Sequence, residues 1–120
     1  MGEIKNARIE SASITMEDHG CLTWWLSLDG GGWGVNIGGY CIGHGYLGAE
    51  HFDGSAKGME SIARVMDTVG VSRWEDLPGK YVRVADVGWG TTITKFGNIL
   101  QDKWFDCREF FSKKEEQTCS

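Results

Sequence analysis

The chain has 120 residues, of which 41% are hydrophobic and 24% charged, as in an ordinary single globular domain. Its formal net charge of −5 disfavours binding to duplex nucleic acid or to an anionic membrane, because both depend on Lys and Arg neutralising phosphates. No apolar run approaches the roughly 18 residues of a membrane-spanning helix, and the first residues lack a signal-peptide pattern, so we expect a cytoplasmic protein.

The first half of the chain predicts three antiparallel strands. Residues 4–16 alternate apolar and polar side chains with a period of about two, and residues 22–28 alternate more strictly. Asp29-Gly30-Gly31-Gly32 is a strong hairpin signal, after which residues 33–38 alternate again. Residues 43–55 are expected to form a loop.

The middle of the chain predicts the main helix. Apolar residues recur at helical spacing from 59 to 69, and Gly70 is expected to end the helix. Ser72 and Glu75 have the spacing of a capping box around Trp74, which predicts one further helical turn.

The last third predicts two more strands, at 81–87 and at about 91–100, and a short helix near 107–115 capped by Asp106. The order is then β-β-β-α-β-β-α. We therefore expect one α+β domain over residues 1–120, in which an antiparallel sheet of about five strands is covered by the helices.

Glycine and aromatic residues alternate between Cys21 and Glu50, and the whole chain holds 18 glycines and six tryptophans. Aromatic faces bind rings, and glycine lets a ligand or a second backbone approach closely. Arg83 and Lys95 sit in alternating strands beside aromatic residues, where two cations suit phosphate groups. The expected ligand-binding residues are Trp25, Trp33, Tyr40, Arg83, Trp89, Lys95, Phe96, Asn98 and Arg108. For Trp74 and Trp104 the expected places are the core or an interface between subunits.

No motif in the sequence is typical of a particular catalysed reaction. Gly43, Gly45 and Gly48 match the dinucleotide-binding spacing, but the expected helix begins about eight residues later and the strands before it form hairpins. The three histidines, His19, His44 and His51, match no metalloprotease pattern. The four cysteines, at 21, 41, 107 and 119, contain no C-x-x-C and are expected to be reduced and unliganded, so no metal or cofactor is predicted.

A resemblance to known small proteins depends on five segments of the sequence, which are residues 4–11, 17–20, 38–40, 74–84 and 102–106. They resemble small proteins that are common in phage and prophage genomes, and among these the Thoeris anti-defence sponges. Those sponges are similar in size and oligomeric, and they sequester cyclic ADP-ribose-type signals without cleaving them.

The resemblance implies a phage protein of the host bacterial cytoplasm that sequesters a cyclic nucleotide or an ADP-ribose-derived immune signal as a homo-oligomer. Two other hypotheses remain open from the residues alone. One is a protein-binding inhibitor of a defence complex, of the anti-CRISPR type, which would place exposed tryptophans on its partner. The other is an enzyme that degrades a nucleotide signal with His44 or His51 as base.

Overall fold

The computed structural model describes residues 3–17, 20–45, 48, 50–88 and 92–112. Within these residues there are seven strands and two α-helices, with a 3-10 turn at Trp74–Asp76. The strands are β1 (Glu3–Met16), β2 (Cys21–Asp29), β3 (Gly34–His44), β4 (Asp53–Gly54), β5 (Tyr81–Val87), β6 (Lys95–Asn98) and β7 (Trp104–Asp106). The helices are α1 (Ala56–Val69) and α2 (Cys107–Ser112).

All seven strands form one antiparallel sheet in the order β4-β3-β2-β1-β5-β6-β7. The long β1 lies at the centre, with the β2-β3-β4 meander on one side and the β5-β6-β7 meander on the other. α1 carries the chain from the β4 edge across one face of the sheet to β5, so that this face becomes the interior.

The core lies between that covered face and the helices. Trp24, Leu26, Val82, Val84 and Phe96 point into it and are completely buried. Their neighbours along each strand point to the opposite face, as alternation across a pleated strand requires. Tyr81, which the sequence places on the outward face of β5, is 56% exposed, so the predicted orientation of this strand is confirmed.

α1 is capped at both ends and packs closely on the sheet in its first turn. The Ser55 hydroxyl accepts a hydrogen bond from the Gly58 N–H (3.0 Å), which caps the first turn, and Gly70 closes the helix in the left-handed conformation at φ 98°. Gly58 packs directly on Ile42 of β3, where a Cβ would lie 2.5 Å from the Ile42 Cβ. The helix therefore sits closer to the sheet than any residue with a side chain at this position would allow.

The predicted α+β class, the main helix and its end at Gly70 are confirmed, but the strand number is wrong. The sheet has seven strands instead of about five. The two additional strands, β4 and β7, contain two and three residues, which is too short to show an alternation in sequence. β4 forms within the segment 43–55 that was expected to be a loop, because Asp53 and Gly54 pair with the end of β3.

The extent of one strand and one cap also differ from the expectation. β6 begins at Lys95, so it is shorter than the predicted strand 91–100. The Ser72 capping box is wrong, since Arg73 precedes the 3-10 turn without a side-chain cap and pairs with Glu75 instead. Asp106 does cap α2, accepting the Glu109 N–H at 3.3 Å, and the helix is described as far as Ser112.

Candidate functional site

The two faces of the sheet differ. Both helices pack on the same face: α1 through Gly58 and Ser61, and α2 through aromatic contacts with β7 and β3. In the part of the chain that the structure describes, no helix crosses the opposite face, which we call the open face. On the open face, the side chains of Trp25, Arg83 and Trp104 are partly exposed.

On this open face, Arg83, Gly97 and Trp104 lie side by side on β5, β6 and β7, as the strand register shows. The Trp104 indole lies against Gly97, where a Cβ would come within 2.6 Å of the ring. The Arg83 guanidinium carbon is 4.6 Å from the ring centroid, and the Lys95 ammonium is 5.5 Å from it. We call these four residues the Trp104 patch.

The two cations of the Trp104 patch have different surroundings. Arg83 donates from Nε to the Asn98 carbonyl and from an Nη to the Gln101 carbonyl, both at 2.7 Å, and so holds the turn between β6 and β7. Lys95 makes no ion pair with any described residue, although Asp106 lies opposite it in the strand register. The Lys95 ammonium is therefore the charge of the patch that an anion can contact without breaking a hydrogen bond or an ion pair to a described residue.

The rest of the immediate surroundings is mixed in charge. Asp102 accepts a hydrogen bond from the Trp104 Nε1–H (3.0 Å), which fixes the orientation of the indole. A groove of about 320 Å³ adjoins the ring on its α1 side, and its cations Arg64 and Lys103 are paired with Glu60 and Asp67. The cations of the groove are therefore paired with carboxylates, whereas Lys95 makes no ion pair with a described residue.

Trp25 and Trp33, two of the expected ligand contacts, lie elsewhere. Trp25 is half-buried on β2, where its Nε1–H donates to the Glu17 carboxylate (3.1 Å) and its ring covers Gly39. Trp33 lies at the β2–β3 hairpin beside a groove of about 560 Å³ that is also lined by Glu10 and Asp29. These carboxylates disfavour an anionic ligand in that groove.

Tyr40 and Arg108 come together at a third place. The Tyr40 ring stacks on Phe111 of α2, with centroids 4.6 Å apart and planes 12° apart. Burial raises the pKa of Tyr40 above its ordinary value, and the nearby Arg108 charge lowers it by less. Tyr40 therefore contributes mainly to packing α2 on the sheet.

Phe96 and Asn98 share a face of β6, as the sequence predicts, but that face is covered by α1. Phe96 is completely buried. The Asn98 amide donates to the carbonyls of Thr68 and Val69 at the end of α1, and its oxygen accepts the N–H groups of Leu100 and Gln101. Both residues serve the fold, and Trp89 lies outside the described residues.

Two groupings were missed by the sequence reasoning. One is the placement of Trp104 between Arg83 and Lys95, for which the only signal was Gly97 leaving room for a large ring on the neighbouring strand. The other is a cluster of Cys21, Cys41 and His44, whose potential ligand atoms all lie within 4.8 Å of one another. Its sequence signal is Cys41 and His44 three residues apart, combined with the β2–β3 hairpin.

The other described side chains that could take part in a reaction are His51, Asp53 and the cysteines. His51 and Asp53 form an exposed pair at 2.6 Å. Cys107, the first residue of α2, is buried, and this desolvation raises its pKa to about 12, which keeps the thiol protonated and unreactive. The pKa of Cys21 is raised by a hydrogen bond with Cys41 and, to a smaller extent, by desolvation.

No family model, curated protein or solved structure matches the chain. Among the described residues, no helix has the length and apolar character needed to cross a membrane.

Proposed function

We propose that this protein binds an anionic ligand of the cyclic nucleotide or cyclic ADP-ribose class on the Trp104 patch and sequesters it without cleaving it. The observation that carries the proposal is the convergence of Arg83 and Lys95 on one partly exposed indole. The ligand class comes from the resemblance of the sequence to phage anti-defence sponges, in which such a ligand is an immune signal of the bacterial host.

The chemistry of the patch suits a base or a ribosyl phosphate. A base stacked on an indole gains about 1–3 kcal/mol, and the ammonium of Lys95 offers a charge-assisted hydrogen bond to a phosphate. Arg83 adds positive potential while its donors stay on the backbone carbonyls of the β6–β7 turn. The ligand would thus be held by its flat ring and by its charge together.

Sequestration requires more enclosure than one flat sheet face supplies. A single stacked ring and one phosphate contact leave most of the ligand in water, and such contacts alone bind weakly. We therefore include in the proposal a second copy of the chain that closes over the patch, which agrees with the expected homo-oligomer. A ligand between two indoles and two ammonium groups would dissociate far more slowly.

The positions of the histidines favour binding over hydrolysis. His44 ends β3 and His51 precedes β4, whereas the Trp104 patch lies on β5, β6 and β7. Since β2, β1 and β5 lie between β3 and β6, the two places are about 20 Å apart at the usual strand spacing. Neither histidine of one chain reaches a ligand on the patch of that same chain.

The test is mass spectrometry of small molecules released by heat from protein purified out of bacteria that make the candidate signals. The proposal predicts an intact nucleotide in the supernatant of the wild-type protein and a smaller amount of it from Lys95→Gln. A nucleotide recovered only as a cleaved product would indicate the hydrolase instead. If neither form is recovered and added cyclic nucleotides do not bind, the proposal is wrong.

The open face also favours a second candidate function. Trp25 and Trp104 both lie on it half-exposed, and large aromatic residues are typical anchors of protein interfaces. A protein-binding inhibitor would use this face against a component of a defence complex. Capture of one defined host protein that is lost in Trp25→Ala, without any bound nucleotide, would support this function over the first.

A further inference from the structure

Cys21, Cys41 and His44 form a compact cluster near the β4 edge of the open face. The sulfur of Cys41 lies 3.5 Å from Nε2 of His44, and the potential ligand atoms of all three residues lie within 4.8 Å of one another. Both thiols are partly exposed and the imidazole is exposed, so an ion can reach them from solvent.

An irregularity in the strand pairing creates this cluster. Residues three apart on a regular strand point to opposite faces, which would separate Cys41 from His44. Here Cys21 pairs with His44 and Thr23 pairs with Cys41, so the β3 strand holds one extra residue across this step. The bulge turns Cys41 and His44 to the same face, and it is held from the other side by Ile42, which is buried against Gly58 of α1.

The distances match those of a metal site. In tetrahedral zinc coordination, with Zn–S of about 2.3 Å and Zn–N of about 2.0 Å, a sulfur and a nitrogen ligand lie about 3.5 Å apart. The separation of Cys41 Sγ and His44 Nε2 has this value. The Cys41 thiol donates to the Gly43 carbonyl (3.2 Å), a contact that a thiolate bound to zinc would give up.

We propose that Cys21, Cys41 and His44 bind one Zn²⁺ ion. Two thiolates and one neutral imidazole balance the charge of the ion. They form a soft ligand set, which binds zinc in preference to magnesium or calcium. A water molecule completes the tetrahedron, because the carboxylate of Glu17 is held by Thr23 and Trp25. The carboxylate of Asp53, which lies opposite His44 in the strand register, is paired with His51. The ion would clamp β2 to β3 where the β4 edge begins, and the site does not depend on the proposed nucleotide function.

The experiment is a titration of the reduced, chelator-treated full chain with Zn²⁺ in competition with a chromophoric chelator, and with Co²⁺ as a spectroscopic probe. We expect one Zn²⁺ per chain, and with Co²⁺ the visible bands of tetrahedral coordination together with a thiolate-to-cobalt charge-transfer band. Cys41→Ser and His44→Ala should each weaken zinc binding about 100-fold, since each removes one of three protein ligands.

Cys107→Ala is the matched control, because it removes a thiol that lies in the core and should leave the zinc affinity unchanged. Circular dichroism confirms that each variant is folded. Absence of zinc binding by the reduced wild type would overturn the proposal, as would an affinity that is the same in Cys41→Ser and the wild type. A Co²⁺ spectrum without the charge-transfer band would also overturn it, since the thiolates would then not be ligands.

A disulfide between Cys21 and Cys41 is the competing use of the two sulfurs. Alkylation and mass spectrometry of the protein directly after cell lysis distinguish the two states. Free thiols protected from alkylation by Zn²⁺ support the metal site. A Cys21–Cys41 disulfide that persists under the reducing conditions of the cytoplasm would contradict it.

Discussion

The Trp24 indole donates a hydrogen bond to the Ser61 hydroxyl at 2.9 Å, and both side chains are completely buried. The Ser61 hydroxyl in turn donates a hydrogen bond to the Gly58 carbonyl at 2.6 Å. This chain of two bonds joins the second strand of the sheet to the middle of α1. It lets a large aromatic residue with a polar atom occupy the interior without leaving that atom unpaired.

Ser61→Ala tests this relationship. The substitution removes the acceptor and leaves the Trp24 N–H buried without a partner, so we expect the free energy of unfolding to fall by about 1–3 kcal/mol. Urea denaturation measures the change, with the exposed Ser72→Ala as the control that should be nearly neutral. Equal stability of Ser61→Ala and the wild type would show that the bond does not contribute.

Gly58→Ala tests how closely α1 approaches β3. In an exposed helix position this change usually stabilises, because alanine has the higher helix propensity. At Gly58 the new Cβ would overlap with Ile42, whose backbone atoms lie 2.7 and 2.8 Å away, so we expect a loss of about 1–3 kcal/mol. The reverse change at an exposed position of the same helix, Ala63→Gly, should cost only about 1 kcal/mol. A stabilised Gly58→Ala protein would mean that the helix packs less closely than described.

The Cys107 thiol predicts a fall of stability at alkaline pH. Its pKa is about 12 when folded and 9.0 when free, so between these values the unfolded chain releases a proton that the folded chain keeps. The folded state then binds more protons, and its stability decreases by about 1.4 kcal/mol for each pH unit above 9.0. Below that pH the contribution is fully present.

Urea denaturation of the wild type and Cys107→Ala at about pH 8 and about pH 11 measures this effect. Groups that do not interact with Cys107 titrate alike in both proteins, so the difference between them reports Cys107 together with the effect of its charge on the pKa of Tyr40. The wild type should lose more stability than the variant over this interval. Parallel losses would show that Cys107 is not the group responsible.

Arg83 and Lys95 are expected to differ in their effects on stability. Arg83→Gln removes two charge-assisted hydrogen bonds from the carbonyls of Asn98 and Gln101, and should cost about 2 kcal/mol. Lys95→Gln should be nearly neutral, because Lys95 makes no ion pair with the described residues. Thermal or urea unfolding compares the two variants. If Lys95→Gln proves as destabilising as Arg83→Gln, the ammonium has a structural role and is not available to a ligand.

The parts of the fold that sequence reasoning predicted are those that local pattern determines. Alternation over β1, β2 and β5 and the apolar stripe of α1 are long enough to be recognised without tertiary information. β4 and β7 are not, because two or three residues become a strand only when a partner strand is already in place.

In the candidate site, too, local sequence pattern predicts individual residues but not which residues the sheet brings together. Arg83 and Lys95 were predicted as ligand contacts from their strands, but the ring between them comes from β7, and only the strand register shows that Trp104 lies over Gly97. The Cys21, Cys41 and His44 cluster depends on a bulge in β3, which reverses the face on which Cys41 would otherwise lie relative to His44. Such irregularities leave little trace in the spacing of residues.

Isothermal titration calorimetry of the wild type, Lys95→Gln and Lys80→Gln with cyclic nucleotides and cyclic ADP-ribose isomers tests the central claim most directly. Lys80 is exposed in the turn before β5, so its substitution changes the net charge by the same amount without touching the Trp104 patch. We predict that one ligand of this class binds the wild type and Lys80→Gln equally and binds Lys95→Gln about tenfold more weakly. Absence of binding to the wild type, or equal binding to all three proteins, would contradict the account.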